Sequence, residues 1–159
     1  MPNWITNRLT IQGDPSKVSE VAHSIKAHNY PVDFNKIIPR PEILNNTATG
    51  MTTINGRTVT DWYVDNSIED REQRKATERL FTPSEEAQLT ALGFRNWHDW
   101  SCQHWGTKWN ACEATVAIQS DGYLEIRFDT AWTAPEPILA ALRQKFPDLE
   151  INLWHEDEA

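Results

Sequence analysis

The residues CEATVAIQSDGYLEIRFD, numbers 112–129, decide the fold, because apolar and polar side chains alternate on both sides of a short turn. Val116 and Ile118 alternate with polar or small residues before the turn, and Leu124 and Ile126 alternate with charged residues after it. A period of two is typical of half-buried strands, and the intervening Ser-Asp-Gly is turn sequence. The segment therefore predicts an antiparallel hairpin.

Toward the N terminus, residues 4–12 (WITNRLTIQ) show the same alternation, with Ile5, Leu9 and Ile11 on one face. Gly-Asp-Pro at residues 13–15 then supplies a turn, an N-cap acid and a first-turn proline. A strand is therefore followed by a helix that we expect to run to about residue 29.

Beyond the hairpin, apolar residues at helical spacing run from Ile138 to Phe146, and Pro147 ends the helix. Alternation of Leu149, Ile151 and Leu153 predicts a last strand. With the middle of the chain set aside, the order is βαββαβ. This order predicts an α+β fold, the ferredoxin-like split βαβ arrangement with an antiparallel sheet.

The middle of the chain differs in composition and predicts an insertion between the first helix and the second strand of this fold. Asn, Thr and Gly dominate residues 45–61, and charged residues dominate 65–79. We expect a single domain over residues 1–159 with a variable insertion at 40–94, whose first half is mobile or lies on the surface. Thr82, Pro83 and Glu85 predict a capped helix near its end.

Composition narrows the partner class. The chain has 159 residues, a net charge of −8 and a pI near 5.1, which is the opposite of the basic character of phosphate-binding proteins. We therefore expect the partner not to be a nucleic acid. Eight tryptophans supply apolar area, mainly for packing. No run of 18 apolar residues and no apolar N-terminal segment occur, so we expect no membrane span and a cytoplasmic location in a bacterial cell.

Cysteine and histidine are too few and too scattered for a metal or nucleophile site. His98 and Cys102 have helical spacing, but no second pair accompanies them. Two cysteines cannot hold an iron–sulfur cluster, despite the name of the fold. We expect no catalytic residues, no metal and no cofactor, and we predict that the protein is not an enzyme.

The alternation also defines which residues face away from the helices. That open face of the sheet carries Arg8 and Arg127 among threonines and carboxylates. It lacks the aromatic rings on the central strands that RNA-binding domains of this topology use, so it is more like a salt-bridge lattice. The predicted members are Thr6, Arg8, Thr10, Glu113, Thr115, Glu125, Arg127, Asp129, Glu150, Asn152 and Trp154.

The run WGTKWNA, residues 105–111, has two interpretations. Its bulky rings at a helix-to-strand junction could seal the edge of the core, which is the interpretation we favour. Alternatively, two tryptophans around Lys108, with a cation–π contact or an amide cap from the asparagine, could form a partner site. The candidate binding residues are Trp105, Lys108, Trp109, Asn110, Trp132, Arg8 and Arg127.

Four motifs occur in the order of a known family: residues 3–10 (NWITNRLT), 34–42 (FNKIIP followed by PE), 93–111 (GFRNWHDWSCQHWGTKWNA) and 128–132 (FDTAW). They resemble the YubB-type ferredoxin-like family of phage and plasmid proteins, the Api-like proteins with a ferredoxin-like domain. The resemblance implies a bacterial protein carried on a mobile element and the same ferredoxin-like fold. It brings no established activity and no catalytic residues that could be carried over to this chain.

These observations lead to two functional expectations. The first is a non-enzymatic accessory protein of a phage or plasmid that binds a host or element protein, with counter-defence as a narrower version. The alternative is a nucleic-acid-binding regulatory protein of a mobile element, using Arg57, Arg71, Arg74, Lys75 and Arg79 in the insertion. Charges of both signs alternate there, which favours a solvated helix face instead.

Overall fold

The computed structural model describes residues 2–157 and divides the chain into two compact units. The first unit contains the chain up to Pro39 and from Ser101 onward, and the second unit is Arg40–Trp100. The predicted insertion, residues 40–94, lies within the second unit. In chain order the elements are β1 (Trp4–Gln12), α1 (Pro15–Ile25), β2 (Thr47–Ile54), β3 (Arg57–Tyr63), α2 (Arg71–Lys75), α3 (Pro83–Leu92), α4 (Trp97–His104), β4 (Cys112–Ser120), β5 (Tyr123–Ala131), α5 (Glu136–Lys145) and β6 (Glu150–Asp157).

The first unit has the predicted ferredoxin-like α+β fold. Its four strands form an antiparallel sheet in the order β4-β5-β1-β6, so the first strand lies at the centre and pairs with two strands from the C-terminal third of the chain. Helix α1 packs against β5 and α5 against β6. The buried core includes Ile5, Leu9, Ile11, Val18, Val21, Ile25, Leu124, Ile126, Phe128, Ile138, Leu142 and Ile151.

Helix α1 begins as predicted and ends earlier. The Asp14 side chain accepts hydrogen bonds from the backbone N–H groups of Ser16 and Lys17, which satisfies two of the donors that a helix start leaves open. The helix ends at Ile25 instead of about residue 29, because residues 27–30 form a tight turn closed by backbone bonds between Ala27 and Tyr30. Local turn formation therefore replaces the last predicted helical turn.

Strand β4 corrects part of the predicted open face. Its pairing with β5 shifts twice, once between Cys112 and Thr115 and again between Val116 and Ile118. Each bulge adds a residue and changes which side chains face which side. Directly opposed residues share a face, so Thr115 lies on the open face as predicted, while Ile118, opposite Glu125, joins it unexpectedly.

The second unit contains a hairpin that the sequence patterns did not predict. Strands β2 and β3 pair antiparallel around Asn55 and Gly56, whose φ angles of 53° and 77° are both left-handed. Asn-Gly is the preferred pair for such a two-residue turn, so this dipeptide in the sequence could have predicted the hairpin. The buried residues of this unit include Leu44, Trp62, Val64, Leu89 and Trp100.

Helix α3 has the predicted capping box, and an arginine extends it. Thr82 Oγ1 accepts from the backbone N–H of Glu85, whose Oε1 accepts in return from the N–H of Thr82 at 2.8 Å. Arg79 donates to both oxygens of the same carboxylate at 2.7 and 3.2 Å. These bonds, chiefly those from Arg79, lower the pKa of Glu85 from 4.5 to about 2.

We predict that the change Glu85→Gln lowers the free energy of unfolding near neutral pH by about 1–2 kcal/mol. The lower end of this range applies because the Arg79 side chain is 43% exposed, and solvent weakens its attraction to Glu85. Because folding lowers this pKa, the stabilisation is complete above the unfolded value near 4.5 and is lost as pH falls toward 2. Urea unfolding across this range should show a smaller pH dependence for the variant, and equal slopes for both proteins would contradict the prediction.

Candidate functional site

Trp105 is a core residue. Its side chain is 1% exposed, its Nε1–H donates to the carbonyl oxygen of Ile38 at 2.9 Å, and its ring meets that of Phe34 edge-on with centroids 5.7 Å apart. Phe34 in turn packs edge-on against Phe128 of β5 at 5.9 Å. The ring therefore does not face solvent, and the structure replaces the predicted binding role of Trp105 with the architectural one.

Asn110 uses its whole amide group inside the first unit. Its Oδ1 accepts from the backbone N–H groups of Phe34 and Ala111 at 2.9 and 2.8 Å, and its Nδ2 donates to Asp33 Oδ1 at 2.7 Å. These bonds join the segment before β4 to the short 3-10 helix Phe34–Lys36 and its N-cap Asp33, which follow α1. The predicted amide cap is present, but it leaves Asn110 as a structural clamp instead of a binding residue.

Lys108, Trp109 and Trp132 remain at the surface. The predicted cation–π contact is present, with Lys108 Nζ 4.1 Å from the centroid of Trp109, and Trp109 also contacts Trp4 at 6.0 Å. Trp109 is 38% exposed and Trp132 is 52% exposed. The backbone N–H of Trp132 donates to Asn3 at 2.8 Å, which fixes its position directly after β5.

The two remaining candidates, Arg8 and Arg127, are directly opposite each other on β1 and β5. On the other side of β1, Trp154 of β6 is opposite Arg8. All three therefore lie in one row across the open face of the sheet. Like charges directly opposite each other are destabilising, so this row requires a compensating group.

Glu125 is that compensating group. Its Oε2 accepts from Nε and a terminal nitrogen of Arg127 at 3.3 and 3.4 Å, and its Oε1 lies 3.7 Å from a terminal nitrogen of Arg8. The Tyr123 hydroxyl also donates to Oε1 at 3.1 Å. The carboxylate is 4% exposed, while the side chains of Arg8 and Arg127 are 43% and 60% exposed. A buried carboxylate thus holds two arginines whose outer surfaces face solvent.

A shallow cavity of about 400 Å³ lies over this row. Trp154 forms part of its wall, and the guanidinium carbon of Arg8 lies 4.5 Å from the centroid of that ring. The stacked ring restricts the arginine without using its N–H donors. Burial and the Glu125 carboxylate raise the pKa of Tyr123, so its hydroxyl stays a donor. The lining includes Thr6, Arg8, Arg127, Trp154 and Glu156.

The basic residues of the second unit do not form one free patch. Arg79 is bound to Glu85 and lies 3.8 Å from the centroid of Tyr63, while Arg74 donates to the carbonyl oxygen of Ile68 at 3.2 Å. Arg71, Arg74 and Lys75 line a cavity of about 310 Å³ that Glu78 also lines. Two of the five predicted residues are thus held by internal bonds.

The histidine and cysteine residues offer no assembled metal set. Within residues 2–157, no group of three His, Cys, Asp or Glu side chains is arranged to hold an ion. Cys112 is partly buried, and burial raises the pKa of its thiol, which opposes nucleophilic reactivity. Cys102 is exposed. In the part of the chain that the structure describes, no helix is long and apolar enough to cross a membrane.

Two contributors to the open face were not predicted as site residues. Glu125 was placed on this face, but its burial and its bonds to both arginines follow from cross-strand register, which alternation alone does not give. Trp4 was assigned to β1 without a role, and its contact with Trp109 depends on the loop before β4. The spacing of Glu125 and Arg127, two residues apart on one strand, was the available signal.

Comparison with protein families agrees with this fold. Residues 104–159 match the family model described as a ferredoxin-like domain in Api92-like protein. The match covers helix α5 and three of the four strands of the sheet, β4, β5 and β6. It supports the predicted resemblance to Api-like proteins with a ferredoxin-like domain. Searches of curated proteins and of solved structures found no match for the chain.

Proposed function

We propose that the protein is a non-catalytic accessory protein of a phage or plasmid that binds a host or element protein through the open face of its four-stranded sheet. The observation that carries the proposal is the row of Arg8, Arg127 and Trp154. Tryptophan and arginine are the residue types that most often dominate binding energy at protein interfaces. Here they lie together on a strand surface at 43–60% exposure.

The geometry adds three features that suit such an interface. Arg8 is held by a stacked ring and a buried carboxylate, so little side-chain entropy remains to be lost on binding. The cavity gives the surface a concave centre. The Trp4–Trp109 pair supplies apolar area at the start of β1 on the same face as Arg8, because residues of a strand alternate. Inhibition of a host defence system is a specific form of this function.

Affinity capture from a bacterial lysate tests the proposal with three baits: the wild type, Trp154→Ala and Met51→Ala. Met51 is 70% exposed and lies in the β2–β3 hairpin, so it is a matched exposed apolar control. We expect the wild type and Met51→Ala to retain one stoichiometric protein. Trp154→Ala should weaken its binding about 30-fold, since an interface anchor contributes about 2 kcal/mol or more.

Two results would contradict the proposal. One is the recovery of no stoichiometric protein under several conditions of salt and growth. The other is a partner that all three baits retain equally, since that partner would use a different surface. Circular dichroism of each bait establishes that the two variants are folded.

A further inference from the structure

The ion-paired cluster of Arg8, Arg127 and Glu125 on the open face has an excess of one positive charge. Arg8 and Arg127 each carry one positive charge, and Glu125 is the carboxylate that contacts both. Glu156 lines the same cavity. In the part of the chain that the structure describes, the ion pairs of both arginines are with Glu125 and not with Glu156. The ion-paired cluster of Arg8, Arg127 and Glu125 is therefore positive within a protein whose net charge is −8.

The donors of this centre are incompletely used. Arg127 directs Nε and one terminal nitrogen at Glu125, at 3.3 and 3.4 Å. Arg8 approaches Glu125 at 3.7 Å, which is an ion-pair distance but too long for a hydrogen bond. A guanidinium has five N–H donors, so each arginine keeps donors that can point to the cavity. These are the donors that a carboxylate binds in pairs.

We infer that the cavity over Arg8, Arg127 and Trp154 is a binding site for a single carboxylate, supplied by an aspartate or glutamate side chain of the protein partner. The inference rests on the proposed function for the source of the carboxylate. Within the ion-paired cluster, the two arginines are balanced by Glu125 and one added monoanion. Glu156 at the cavity lining adds a negative charge of its own, which limits the ligand to a single charge.

Charge balance favours a carboxylate over a phosphate. A phosphate group carries about −1.5 to −2 charges near neutral pH, so it would leave the cluster with excess negative charge. Glu156 at the cavity lining repels a dianion more strongly than a monoanion. The stacked Trp154 ring adds an apolar wall suited to the methylene groups of a glutamate side chain.

The site can be tested with a small molecule, independently of any partner. The probe is N-acetylglutamate α-amide, which carries one side-chain carboxylate, and its neutral control is N-acetylglutamine α-amide. Titrations of the ¹⁵N-labelled protein follow the arginine Nε–H signals and the indole N–H of Trp154. We expect saturable shifts from the glutamate probe, with a Kd in the millimolar range, and none from the glutamine probe.

Three variants make the assignment specific. Arg8→Gln and Arg127→Gln should each weaken the probe at least about tenfold, because each removes a charged donor pair. Arg57→Gln makes the same change on an exposed residue of β3 and should leave the affinity unchanged. Glu125→Gln removes the internal negative charge, so it should tighten carboxylate binding about fivefold. A purely structural role for Glu125 would not produce that gain.

Each alternative outcome overturns the inference. These are equal shifts from the glutamine probe, tighter binding of inorganic phosphate than of the glutamate probe, no saturable shift, or weaker binding by Glu125→Gln that retains its fold. If Arg8→Gln does not fold, Arg127→Gln gives the same test. Failure of the proposed function is a separate result: the probe would bind as expected while affinity capture returned no protein partner dependent on Trp154.

Discussion

Replacing Trp105 with alanine is expected to lower the free energy of unfolding of the first unit by about 3–5 kcal/mol. The indole is 1% exposed, and its loss removes the edge contact with Phe34 and leaves a cavity beside the sheet. The change also leaves the carbonyl oxygen of Ile38 without the indole donor. Chemical unfolding followed by circular dichroism measures the effect.

Trp132→Ala is the control, because it removes the same side chain from a position that is 52% exposed. We expect a loss below about 1 kcal/mol there, as is usual for surface substitutions. Similar losses for the two variants would show that Trp105 does not have the packing role assigned to it.

The second large effect is expected for Asn110→Asp, which changes one atom of the clamp. The new oxygen replaces the Nδ2–H₂ donor 2.7 Å from Asp33 Oδ1, so a hydrogen bond becomes a contact between two carboxylates. We expect a loss of about 2–4 kcal/mol near neutral pH. The acceptor bonds from Phe34 and Ala111 can remain, so the change isolates the donor side.

The pH dependence of this variant has a defined sign. The neighbouring carboxylate raises the pKa of an aspartate at position 110 in the folded state above its unfolded value near 4. The destabilisation is therefore present above that folded pKa and decreases as the pH falls through it. Asn55→Asp makes the same change in the exposed β2–β3 turn and should cost less than about 0.5 kcal/mol at any pH. A deficit that does not depend on pH would argue against the Asp33 contact.

The sheet could be predicted because its determinants are local. Alternation from Leu124 to Phe128 specifies a strand, and the proline and capping residues around α1 and α3 specify where helices begin. The bulges of β4 could not be predicted in this way. The first of them includes Glu113, with a φ angle of 50°, and depends on how this residue fits against β5, which is a tertiary constraint.

The candidate site was predicted in part. Exposure separates its members: Trp109 and Trp132 keep surface positions, whereas Trp105 and Asn110 are used internally. Trp105 and Trp109 are four residues apart in the same short run, WGTKWNA. No local sequence pattern could therefore distinguish the buried tryptophan from the exposed one. Which indole is buried depends on Phe34, more than 70 residues earlier in the chain.

The strand order has a consequence for synthesis on the ribosome. Strand β1 is made first, yet both of its hydrogen-bonded neighbours, β5 and β6, come from residues 123–157. The central strand must therefore wait, without a partner, until β5, more than 100 residues later in the sequence, has left the exit tunnel. The second unit, Arg40–Trp100, is continuous in sequence and can fold earlier. Pairing β1 with β5 closes a loop of more than 100 residues, which costs conformational entropy. Formation of the four-stranded sheet should therefore be the slow step of folding.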